Sequence, residues 1–96
     1  MDKTPVCVHI WVSGRVQGVG FRAFVASSAE YIGVKGWVRN QGWNTVEALA
    51  QGSREQVDQF IQAMKTGPRA SRVEDCRVED EIPAEEFTDF EIRSSR

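Results

Sequence analysis

The sequence predicts an α+β domain in which two helices cover one face of an antiparallel sheet. Three observations predict it. Apolar residues alternate along residues 6–12, the period of a half-buried strand. After Phe21, and again after Ser53, they recur at helical spacing. The strand-like and helix-like segments succeed one another as strand, helix, strand, strand, helix, strand, and a chain of 96 residues is long enough for one such core and too short for two.

Each element has its own signal. In "VCVHIWV" (6–12), Val6, Val8, Ile10 and Val12 share one face and Cys7, His9 and Trp11 the other. Phe21, Phe24, Val25, Ala29 and Ile32 then form a helical stripe that Gly33 stops. "KGWVRN" (35–40) and "TVEALAQ" (45–51) read as strands, and Gln41-Gly42-Trp43-Asn44 is short enough to join them as a hairpin, with Asn44 suited to a left-handed turn position. Ser53 and Gln56 make a capping box ahead of Val57, Phe60, Ile61 and Met64, and Gly67-Pro68 ends that helix. "SRVEDCRVE" (71–79) is a weaker strand in which Val73 is out of phase with Cys76 and Val78, so a bulge is expected. "EDEIPAEE" (79–86) reads as a solvated acidic loop, and "FEIR" (90–93) as a short fifth strand. The order β-α-β-β-α-β is the ferredoxin-like, or split βαβ, pattern, occupying residues 1–96 as one domain.

Composition bounds the function. The chain is 41% hydrophobic and 27% charged, with no apolar run near the ~20 residues of a membrane span and no signal-peptide pattern after Met1-Asp2-Lys3. A cytoplasmic protein without a membrane partner is expected. Its net charge of −2 argues against nucleic acid, but the charge is uneven: residues 1–45 hold five Lys and Arg against two acids, and residues 46–96 hold seven against twelve.

The positive part contains "SGRVQGVGFRAF" (13–24), with Gly14, Gly18 and Gly20 inside seven residues. Glycines so placed serve a backbone that turns through positive φ or approaches something closely. A loop leaving a strand and entering a helix turns backbone N–H groups outward at the positive end of the helix dipole, so its natural ligand is an anion such as phosphate. Arg15 and Arg22 bracket it, and a guanidinium fork can hold two phosphate oxygens. The loop is no Walker A motif, because no lysine follows the glycines. Gly18-Val19-Gly20-Phe21-Arg22-Ala23 spells the dinucleotide fingerprint, yet the position ~20 residues on offers Arg39 and Asn40 where an acid belongs, and the chain is too short for a doubly wound sheet.

"GRVQGVGFR" followed by "GWVRN" resembles the signature pair of the acylphosphatase family, and "VEALAQG", "GPRASRVE" and the terminal "FEIR" are similar to the rest of that pattern, from about Val6 to Arg93. The sequence departs from it at "QGWN", where a Pro-Asp-Gly type of turn is usual, and at Cys76, where an aliphatic residue is common. The resemblance implies hydrolysis of acyl phosphates to a carboxylate and inorganic phosphate, without metal, cofactor or covalent intermediate. It places phosphate binding on Arg15, Val16, Gln17, Gly18, Val19, Gly20 and Arg22, and catalysis on Arg22 with Asn40, the latter positioning the attacking water. A monomer is expected, and because the loop suits a tetrahedral oxyanion whatever group is attached, inorganic phosphate or sulfate should compete with the small-molecule substrate.

Elementary chemistry agrees. A carboxylate leaving group has a conjugate acid of pKa ~4–5, so no general acid is needed. What remains is to stabilise charge on the phosphoryl oxygens and to place a water in line. Backbone N–H groups with Arg22 suit the first task, and a non-ionising amide such as Asn40 the second. The alternative is a non-catalytic anion-binding module using the same loop; it needs the arginine and has no use for Asn40. Other candidates are weaker. His9 lies mid-strand between Cys7 and Trp11 on the face away from the helices and reads as structural. The acids of 79–86 lack calcium-loop spacing. Trp11, Trp37 and Trp43 could stack on bases, but no RNP1-type motif accompanies them.

Cys7 and Cys76 fall on opposite faces of the sheet by phase, which forbids disulfide geometry. Both thiols should titrate in the denatured, unreduced protein; finding none would overturn this reading.

Overall fold

The computed structural model describes residues 5–82 and 86–96 of the chain. Strand β1 (Val6–Arg15) passes through the glycine loop into helix α1 (Phe21–Ile32). Strands β2 (Lys35–Gln41) and β3 (Thr45–Gly52) form a hairpin, followed by helix α2 (Arg54–Thr66), β4 (Arg72–Glu81) and the three-residue β5 (Phe90–Ile92). One sheet results, in the order β4-β1-β3-β2-β5.

The first four strands are antiparallel to their neighbours, the expected ferredoxin-like arrangement. The fifth is present, but it pairs parallel to β2, Gly36 to Phe90 and Val38 to Ile92, so the sheet is mixed. The reason is topological. Strand β4 ends beside Cys7, at the same end of the sheet where β5 begins beside Gly36, so β5 must run against β4 and hence with β2.

Alternation decides what is buried. Val8, Ile10 and Val12 of β1, Val38 of β2, and Val46, Ala48 and Ala50 of β3 form a sheet face covered by Phe21, Val25 and Ala29 of α1 and Val57, Phe60 and Met64 of α2. Each of the larger of these side chains contributes about 1.5–3 kcal/mol by leaving water. The capping box of α2 forms in both directions: the Gln56 N–H donates to the Ser53 hydroxyl, and the Ser53 N–H donates to the Gln56 side chain. Gly33 and Gly67 close the two helices.

Between Ser13 and Gly14 the β1–β4 register slips, Ser13 facing Asp75 and Gly14 facing Val73. The extra residue, Glu74, is the bulge anticipated from the phase break, and it lets Val73 pack against the core. Two expectations are corrected. The left-handed turn residue of the hairpin is Gly42 (φ 62°) and not Asn44; among the described residues every positive φ belongs to glycine, which has no Cβ to clash there. Glu79 to Glu81 belong to β4, paired with His9, Val8 and Cys7, rather than to a loop. An edge strand leaves those acids exposed, which is why they read as a solvated run. Of the remainder of that stretch, Ile82 is exposed and 83–85 lie outside the described residues.

Cys7 and Cys76 are both free. Cys76 pairs with Val12 and shares its helix-side face, whereas Cys7 is buried on the other. Burial pushes both thiols above the ordinary range, which keeps them unreactive.

The face away from the helices carries a polar cluster. Glu47, only 3% exposed, accepts hydrogen bonds from Arg39 Nε at 2.6 Å and from His9 Nε2 at 2.7 Å. His9 stacks on Trp11 with ring centroids 3.9 Å apart, and its Nδ1 lies 3.4 Å from Glu81. Guanidinium groups cover the indoles: Arg77 lies over Trp11, and Arg39 and Arg93 over Trp37. His9 is thus a structural residue, and two of the three tryptophans are covered by their own neighbours.

Burial raises the Glu47 carboxyl, but the hydrogen bonds and charges of Arg39 and His9 outweigh it and hold the group below its ordinary value of 4.5. A lowered carboxyl stabilises the fold above its unfolded pKa and loses that contribution as pH falls through the folded one. Glu47→Gln should therefore cost about 1.5–3 kcal/mol in urea unfolding at neutral pH. The gap to the parent protein should narrow progressively in acid, and an equal gap at both pH values would refute the assignment.

Candidate functional site

The loop between β1 and α1 owes its shape to its glycines. Gly18 (φ 74°) and Gly20 (φ 75°) take the left-handed conformation, and a Cβ at either would meet nothing within 4 Å, so it is backbone torsion and not space that calls for glycine. Gly14 is different: its φ is 129°, and a Cβ there would run into the Arg72 carbonyl of β4.

Gly20 is also the N-cap of α1 and has no side chain to cap it; among the described residues no side chain accepts from the first-turn N–H groups, and no acid sits in that turn. These donors, together with the helix dipole, therefore face outward unneutralised. They open into a cavity of about 320 Å³ lined by Val16, Gln17, Gly18, Gly20, Phe21, Arg22, Ala23, Asn40 and Ile92. Two residues 18 positions apart in sequence, Arg22 and Asn40, thus meet beside the loop.

Arg22 stands in the first turn of α1, half-buried, and its Nη1 donates to the Arg93 carbonyl at 3.2 Å. One of its five N–H donors is used in this way, and among the described residues no other protein acceptor engages the fork, on a side chain that lines the cavity. Asn40 lies near the end of β2, paired with Val46. Its carbonyl accepts from Arg96 N–H at 2.9 Å, and Arg96 in turn accepts from Gly42 N–H, so residues 93–96 bind alongside β2 and fix the backbone that carries Asn40. Among the described residues no protein group bonds its side-chain amide, which lines the cavity.

The other predicted residues divide. The Gln17 side chain is committed elsewhere: its Nε2 donates to the carbonyls of Gly42 at 3.0 Å and Thr45 at 2.9 Å, tying the loop to the hairpin. What it can offer an anion is its backbone N–H. Val16 is fully buried and Val19 packs against the core, so these also can contribute only backbone. Arg15, exposed at the end of β1, lines a neighbouring depression and not this cavity. Sequence reasoning missed the Gln17 tether, the Arg93 carbonyl that holds Arg22, and the Ile92 wall. Only the parallel register of β5 brings the latter two to the site.

A glycine loop feeding a helix N-terminus, with an arginine and an amide converging on one cavity beside it, on a ferredoxin-like sheet, defines an α+β domain with a cleft at the start of its first helix. Comparison with known proteins narrows the class. The acylphosphatase family model matches residues 8–92. The sequence is 46% identical over 95 residues to the acylphosphatase of Koribacter versatilis (strain Ellin345), covering 99% of this chain and 86% of that one. It is 45% identical to the acylphosphatase of Syntrophotalea carbinolica (strain DSM 2380 / NBRC 103641 / GraBd1) across 93% of this chain and 97% of the other. The crystal structure of acylphosphatase from Bacillus subtilis superposes with a TM-score of 0.87 at 39% identity, over 92% of this chain and 98% of that one. The chain belongs to the acylphosphatase family.

Proposed function

We propose that this chain hydrolyses acyl phosphates to a carboxylate and inorganic phosphate by direct attack of water, as a single cytoplasmic domain, monomeric and independent of metals. The observation that carries the mechanism is that Arg22, Asn40 and the glycine loop line one cavity. Backbone N–H groups of 16–20 and the first turn of α1 hold the phosphoryl oxygens, with the Arg22 guanidinium adding a charged fork. Anchoring to the Arg93 carbonyl keeps that fork oriented before substrate arrives, so little reorganisation accompanies the reaction.

Asn40 orients a water in line with the scissile bond. The water oxygen bonds to phosphorus as the P–O bond to the acyl group breaks, and the carboxylate leaves with the electron pair. Asn40 cannot serve as a base, so the proton passes to a phosphoryl oxygen. The carboxylate needs no protonation to depart, which removes any need for a general acid. Support for the catalytic reading over simple anion binding comes from Asn40 itself, whose amide lines the cavity without a protein partner among the described residues.

Acetyl phosphate hydrolysis in the presence of a chelator tests the activity, with inorganic phosphate and sulfate as competitive inhibitors. Arg22→Gln should weaken phosphate inhibition and remove most turnover together, since one charge serves both bound anion and transition state. Asn40→Ala should lower kcat by ~10²-fold or more while leaving the phosphate inhibition constant almost unchanged. Near-normal kcat in folded Asn40→Ala protein would remove Asn40 from the mechanism.

A further inference from the structure

Trp43 stands apart from the other tryptophans: it is 84% exposed at the tip of the β2–β3 hairpin, with no residue stacked on it among the described ones. A single exposed aromatic is ordinary. What distinguishes this one is the backbone that carries it. The two carbonyls bonded by Gln17, those of Gly42 and Thr45, flank Trp43, and the Gly14 N–H donates to the carbonyl of Asn44 at 3.0 Å. The turn is thereby pinned to the glycine loop from both sides, and the backbone that carries the indole is held at a set place relative to the first cavity.

Trp43 also lines a second cavity, of about 460 Å³, together with Gly14, Arg15, Val16, Gln17, Asn44 and Glu74. It adjoins the first, since Val16 and Gln17 line both. The two diverge from those shared residues. Asn40 and Ile92 place the first toward β2 and β5, whereas Gly14, Arg15 and Glu74 place the second toward β1 and β4.

In-line displacement sets the attacking and leaving oxygens on opposite sides of phosphorus. With water held on the Asn40 side, the acyl group departs away from Asn40, over Val16 and Gln17 and into the second cavity. We propose that Trp43 forms the wall of an acyl subsite there and selects acyl phosphates with a flat apolar acyl group over small ones. The inference rests on the hydrolase reading above. An indole on an ordered backbone loses little conformational freedom when a ring stacks against it, so most of the stacking energy serves binding. Energy gained on a remote part of the substrate shows in kcat/KM.

The experiment compares benzoyl phosphate with acetyl phosphate in the parent protein, Trp43→Ala and Trp43→Phe, with inorganic phosphate as inhibitor. In Trp43→Ala the ratio of kcat/KM for benzoyl over acetyl phosphate should fall by roughly 3- to 10-fold. Trp43→Phe should restore most of the ratio, and the phosphate inhibition constant should stay within about two-fold throughout. A ratio unchanged in Trp43→Ala overturns the subsite while leaving the hydrolase reading intact. A parent protein that hydrolyses neither substrate overturns the hydrolase reading and the subsite with it.

Discussion

Strands β1 and β2 both run antiparallel to β3, one on each side of it, and therefore run parallel to each other. The chain consequently leaves both at the same edge of the sheet. Everything at the site depends on that constraint. The glycine loop begins where β1 ends, and Asn40 is near the end of β2, so the two can face one cavity only because a helix returns the chain to start β2 in the same direction as β1. Strand β5 repeats the arrangement on the far side of β2. It too runs parallel to β2, and it delivers Ile92 and the Arg93 carbonyl to the same edge.

At that end of the sheet the loop is locally costly. Two closely spaced left-handed glycines and a helix start with no capping side chain are each unfavourable in isolation. The second helix shows the contrast: α2 carries a complete capping box and an acid in its first turn. The loop is stabilised from outside instead. Gln17 fastens it to the hairpin, and the neighbouring Val16, Val19 and Phe21 anchor it in the core. Rigid walls around unsatisfied donors are what preorganised oxyanion binding requires.

The opposite face of the sheet shows how residues of catalytic type can be occupied in holding strands together. Glu47 is satisfied by Arg39 and His9, and His9 also stacks on Trp11, linking β1, β2 and β3 across one face. Removing a single member would leave a buried charge without its partner, so the cluster is consequential for stability. It lies on the side of the sheet turned away from the helices and the core, and none of its members lines the cavity beside the glycine loop.

The sequence by itself determined what depends on near neighbours in the chain. Period-two alternation set the faces of β1, the 3.6 period set the buried stripes of both helices, Ser53 with Gln56 made a cap, the phase break at Val73 marked a bulge, and the Gly18–Gly20 spacing announced a backbone that turns through positive φ. Motif resemblance added Arg22 and Asn40 as candidates. Tertiary structure decided what depends on register and on distant partners. The parallel pairing of β5, the commitment of the Gln17 amide to Gly42 and Thr45, the place of Arg15 beside Trp43 and Glu74, and the burial of Glu47 between Arg39 and His9 join residues that only the folded sheet brings together. Local torsional preference is written in consecutive residues, whereas a hydrogen bond between residues 25 or 38 positions apart exists only once the strands between them have paired.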